Sequence, residues 1–165
     1  MSDSRSAAWR GLAVGFVATS AMTATTALEQ RLRPHLGHPV DYDASDAPAT
    51  AAARVLRLHP TSRRQRRLLF LLVHWGYGSL VGILYLWLDR RITSRSKATG
   101  TFYLAIQAMA FALLPTLGGT PPPWAWQSDM LATSLVQHGV YAAACDAAAR
   151  TMSNTERGGP IRRRR

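Results

Sequence analysis

The segment from Leu68 to Leu88, LLFLLVHWGYGSLVGILYLWL, carries no Asp, Glu, Lys or Arg, and this limits what the chain can become. At about 1.5 Å of rise per residue a helix of that length reaches about 30 Å, the thickness of a bilayer's hydrocarbon core. A soluble amphipathic helix needs a polar face along its whole length, and this stretch offers none across about six turns. Water is the wrong solvent for it. Three further intervals, 11–28, 98–128 and 130–145, are also free of formal charge, and all 20 Lys and Arg and all nine Asp and Glu residues lie outside the four. The mean hydropathy of -0.06 therefore averages apolar segments with arginine-rich connections. These intervals predict an all-α fold, an integral membrane four-helix bundle with spans at about 11–28, 68–88, 98–117 and 128–149.

The formal net charge of +11 is compatible with nucleic acid, but the basic residues stand in short runs beside apolar spans. That placement suits anionic lipid headgroups, so the expected partner is the bilayer and not a nucleic acid. A protein partner or a second copy of the chain is equally compatible with the pattern. The lone cysteine, Cys145, cannot form an internal disulfide and reads as a small packed residue. Arg5 and Arg10 before the first interval resemble the start of a signal peptide, with Thr25, Thr26 and Ala27 as a cleavage region. Three more apolar segments make an integral span the more economical reading.

Span one is weakly hydrophobic because it carries Thr19, Ser20, Thr23, Thr25 and Thr26. At 100° per residue Gly11, Gly15, Ala18, Met22, Thr25, Thr26 and Glu29 share one face, a small-residue stripe that lets another helix approach closely. The long connection 29–67 holds a helix signal at about 46–58, with Ser45 or Asp46 as cap and Pro48 in the first turn. Its Val55, Leu56 and Leu58 beside Arg54 and Arg57 suit a short amphipathic helix at the bilayer surface. Asp41, Asp43 and Asp46 precede it as a solvated acidic turn, lacking the glycine and distal glutamate of a calcium loop. Residues 1–10 are expected as a cytoplasmic N-terminus, 11–149 as one four-span domain, and 150–165 as a basic disordered tail.

Four spans put both termini on one side. The N-terminal ten residues, the 89–97 loop and the segment from Arg150 onward hold more of the Lys and Arg residues than the 29–67 loop and the 118–127 turn. The balance places both termini in the cytoplasm. The eight arginines of the 29–67 loop pull the other way.

Ionisable residues at membrane depth are costly, so they mark candidate sites. His74 and Tyr77 in span two and His138 and Tyr141 in span four share a His-x-x-Tyr spacing, and the two spans run in the same direction. On span two His74, Tyr77, Gly78, Val81, Gly82 and Tyr85 fall on one face, and on span four His138, Tyr141, Ala142, Cys145 and Asp146 make a matching stripe. Both stripes are expected to face the bundle interior, with Glu29 at the mouth, and Gly11, Gly15, Gly78 and Gly82 are expected to serve helix packing. Two roles fit: interhelical hydrogen bonds that lock the bundle, or a proton or cation path of a small transporter. Neither histidine has a third ligand at helical spacing, so no metal and no cofactor are expected. No His-Glu-x-x-His, Gly-x-Ser-x-Gly or phosphate loop occurs, and no enzymatic activity is expected.

On GLAVGFVATSAM at Gly11 to Met22, HWGYGSLVGILY at His74 to Tyr85, and the Pro115 to Pro123 segment, the chain resembles the YagU-like family of small four-span bacterial inner-membrane proteins. The resemblance covers about half the chain and implies a multi-pass membrane protein, with no substrate to carry over. The arginines at 63–67 and the polyarginine end lie outside it.

Overall fold

The computed structural model describes residues 2–32, 47–118 and 120–157. Within them the chain is helical: α1 Ser2–Leu32, α2 Ala47–Val55, α3 Arg63–Arg91, α4 Arg95–Thr116 and α5 Ser128–Arg157, with one 3-10 turn at Pro123–Ala125. No strand occurs among the described residues. Three helices, over Ser6–Glu29, Arg63–Arg91 and Arg95–Thr116, are long and apolar enough to cross a membrane. α5 is not among them, because Gln137 and His138 interrupt its apolar run and Asp146 closes it.

The helices run past the bounds expected from charge. α3 begins at Arg63 and not at Leu68, because Ser62 and Gln65 form a capping box: the Gln65 N–H donates to Ser62 Oγ at 3.2 Å and the Ser62 N–H to Gln65 Oε1 at 3.1 Å. Arginine is a good helix former, so the basic run continues the helix instead of preceding it. The same holds for α1, whose helix takes in the expected N-terminal arm from Ser2, and for α5, which continues to Arg157 through half of the expected disordered tail. Residues 158–165 lie outside the described residues, as do Asp41, Asp43, Asp46 and the expected cap of the loop helix.

α2 is shorter than its expected 46–58. It ends in a Schellman motif, with the Leu58 N–H donating to Ala53 O at 2.8 Å and the Arg57 N–H to Arg54 O at 3.2 Å. Arg57 holds the left-handed position at φ 53, a place glycine usually fills. α4 tolerates Pro115 because it falls in the last turn. Beyond it the Gly118 N–H donates to Pro115 O at 2.9 Å with φ 67, and the Arg54 side chain lies against Gly118.

Span one overcomes its polar composition locally. Thr19, Ser20, Thr23, Thr25 and Thr26 each donate a hydroxyl to the carbonyl four residues earlier, at 2.8 to 3.0 Å. No hydroxyl is left to be solvated, which is what a bilayer requires.

α1 packs against α3 and α5, and α4 packs against the same two, so α3 and α5 lie on a diagonal of the bundle. α2 rests mainly on α3, its alanines Ala47, Ala49 and Ala51 buried. The core is made of Val14, Ala18, Tyr85, Leu86, Phe102, Ile106, Tyr141, Ala142 and Cys145, with Thr19 fully enclosed. At the α1–α3 seam the backbones touch. A Cβ on Gly15 would sit 2.5 Å from the carbonyl oxygens of Gly78 and Ser79, one on Gly11 would sit 2.7 Å from Ile83 Cα, and one on Gly82 would meet the backbone of Gly11 and Gly15. Large side chains are placed outside instead: Phe16 and Val17 on α1, Leu72 and Leu80 on α3, Leu104 and Leu113 on α4, Leu135 and Val136 on α5 are all exposed.

Candidate functional site

The polar residues inside the bundle form two assemblies. The first closes one end. Asp146 on α5 is buried at 9% exposure, and burying a carboxylate is unfavourable unless cations and donors surround it. Its surroundings supply them. Tyr85 Oη on α3 donates to Asp146 Oδ1 at 3.1 Å, Arg95 Nε at the start of α4 lies 2.9 Å from the same oxygen, and Arg150 one turn further along α5 pairs with Oδ2. Asp89 lies 3.8 Å from Arg95 Nε, and Thr99 Oγ1 is 3.4 Å from Tyr85 Oη. Three helices thus converge on one carboxylate. Beside it a cleft of about 580 Å³ runs between α4 and α5, past Thr99, Gly100, Tyr103 and Gly139.

The second assembly is a scatter of pairs along the middle of the helices. His74 Nε2 is 2.9 Å from Thr23 Oγ1 of α1. His138 Nδ1 is 2.8 Å from the Ser134 carbonyl of its own helix, and Ser134 Oγ accepts from Gln107 Nε2 of α4 at 3.1 Å. Gln137 Nε2 donates to Glu29 Oε2 at 3.2 Å, tying α5 to α1. Tyr141 Oη donates across the diagonal to the Gly78 carbonyl, and its ring packs with Phe102, whose own ring meets Tyr85 edge-on at 5.2 Å.

The single shared stripe expected from the helical wheels is therefore divided. Tyr85, Tyr141 and Asp146 come together in the interior; His74 and His138 are half-buried and engage different neighbours, with no contact between them among the described hydrogen bonds and ring pairs. Tyr77 stands outside the core at 44% exposure. The reason is the glycine seam: α1 presses on the face centred on Gly78 and Gly82, which turns the neighbouring wheel position, Tyr77, to the edge. Glu29 meets Gln137 and not a histidine.

Sequence reasoning missed Gln107, Thr23, Thr99, Ser134, Gln137, Arg95 and Arg150. Gln107 is the sole amide within α4 and is buried at 5% exposure, which is a legible signal for a side chain that must find a partner. Thr23, Arg95 and Arg150 gave less warning, since hydroxyls in span one were plentiful, Arg95 sat among other basic residues and Arg150 read as the start of the basic tail. Among the described residues no group of three or more His, Cys, Asp or Glu side chains could hold a metal ion. No protein-family model matches the chain, and neither a curated protein nor a solved structure matches it.

Proposed function

We propose that the protein is a four-span integral membrane bundle of a bacterial cytoplasmic membrane, allied to the YagU-like proteins, whose interior polar groups lock helix to helix and whose role is structural or partner-binding. The observation that carries this reading is the distribution of size. Glycine, alanine and threonine fill the α1–α3 seam while Phe16, Leu72, Leu104 and Val136 are exposed on all four long helices. A water-soluble fold hides its large apolar side chains, whereas a bilayer accepts them and rewards small residues at helix contacts. α5 is included because Leu135 and Val136 continue the exposed apolar band and its polar side chains are directed to partners in the bundle. The basic balance supports cytoplasmic termini. Trp87, stacked under Arg91 at 5.0 Å, and exposed Trp124 at the opposite end suit the two interfaces.

The locking role is favoured over a proton or cation path because both histidines already hold hydrogen-bond partners. His74→Ala and His138→Ala, read in detergent, are each expected to cost about 0.6 to 2 kcal/mol of stability at every pH tested. Wild-type proteoliposomes are expected to show no flux driven by a pH gradient. A wild-type flux that both substitutions abolish, with melting unchanged, would assign the residues to transport instead.

A further inference from the structure

At the end of the bundle opposite Asp146, a pocket of about 610 Å³ opens between α2 and the start of α3, lined by Arg54, Arg57, Leu58, His59, Arg66 and Leu69 among others. Among the described residues no carboxylate lines it. The first turns of α3 add Arg63, Arg64 and Arg67, with no acidic residue in the first turn. This is electrostatically the wrong way round: a helix N-terminus carries partial positive charge, favours anions and is destabilised by cations. A cluster of that kind repels itself in water and is relieved by an external anion. Immediately below it α3 exposes Leu68, Leu71 and Leu72, and the α2 turn exposes Leu56 and Leu58. Positive charge thus sits directly above an apolar surface, which is the order of layers at a membrane interface.

We propose that this pocket docks an anionic glycerophospholipid, with its phosphate between Arg57 and Arg66 and an acyl chain along Leu69 and Leu72. Arg66 is held for the task by Nη1 contacts of 3.4 and 3.5 Å to the Thr61 and Pro60 carbonyls, leaving its Nη2 side for the ligand. Arg54 is turned to Gly118 and completes the rim. The arrangement also accounts for the basic loop that opposes the charge rule for topology, since arginines bound to headgroup phosphates are not excess charge.

The proposal rests on the membrane reading, and purified protein tests it apart from topology. Wild type in a neutral detergent is titrated with phosphatidylglycerol, phosphatidylcholine or inorganic phosphate, and bound lipid is counted by native mass spectrometry. Phosphatidylglycerol is expected to be retained in preference to phosphatidylcholine and not displaced by millimolar phosphate. Arg57→Gly with Arg66→Gln should weaken retention about tenfold. The single variant Arg57→Gly should fold at least as well as wild type, because glycine relieves the left-handed position, and should still lose lipid. Arg90→Gln with Arg91→Gln, at the other end, should change nothing. Equal retention of both lipids, displacement by free phosphate, or undiminished binding in the Arg57 and Arg66 variants would overturn the assignment. A chain that keeps its four spans while giving any of those results fails here alone.

Discussion

Gly15→Leu is expected to separate α1 from α3 and to give the largest loss of stability of any single substitution in the seam. Even one added carbon at Gly15 would lie 2.5 Å from two carbonyl oxygens of α3, and these are backbone atoms that no rotamer change can move aside. Overpacking costs about 1 to 3 kcal/mol where side chains can yield and more where they cannot, so at least about 3 kcal/mol is expected in a denaturant titration in mixed micelles. Gly82→Leu should behave alike, since its Cβ would meet the backbone of Gly11 and Gly15. Gly100→Ala reverses the sign. A Cβ there meets nothing within 4 Å, and alanine is the better helix former by up to about 1 kcal/mol. A Gly15→Leu protein as stable as wild type would mean that the two helices do not touch at this seam.

Asp146→Ala should be the second severe substitution, and its effect should exceed that of removing Arg150. Without the carboxylate, Tyr85 Oη loses a buried acceptor, and Arg95 and Arg150 face each other with Asp89 the remaining carboxylate paired there among the described residues. Leaving a buried hydroxyl without its acceptor costs about 1 to 3 kcal/mol, and the two arginines, 40% and 56% exposed, lose their shared anion. Arg150→Gln, by contrast, removes a side chain that is 56% exposed from a carboxylate that keeps Arg95 and Tyr85. Solvent screening limits that loss to about 1 kcal/mol or less. Thermal unfolding of both variants in one detergent decides the matter, and equal losses would show that Asp146 is not the centre of the cluster.

Each of the four expected spans falls on one long helix, because a long run without charge carries the apolar continuity of a helix in its composition alone. Most helix ends lie beyond those spans, because arginine ends an apolar run without ending a helix, as Arg63 to Arg67 show in α3. Of the residues the 100° wheel grouped, Gly78, Gly82 and Tyr85 are buried on α3, and Tyr141 and Asp146 on α5. The wheel placed Tyr77 with them because it gives the angle between residues and not where the neighbouring helix makes its closest approach. That approach is set by Gly11 and Gly15 on another helix. The partners of His74 and His138 were illegible for a related reason: spans of the same direction suggested a mutual pairing, while the packing order set α3 and α5 on a diagonal and gave the histidines to Thr23 and Ser134.

On the proposed reading α5 crosses the membrane as the fourth span, although its Gln137 and His138 keep it from qualifying by composition. Single cysteines at Ser94, Thr120 and Ser153, introduced with Cys145→Ala, can be treated with an impermeant thiol reagent in intact cells. Four spans with cytoplasmic termini predict labelling at 120 and protection at both 94 and 153. Labelling at 153 together with 120, and protection at 94, would leave α5 on the outer side and contradict the four-span account.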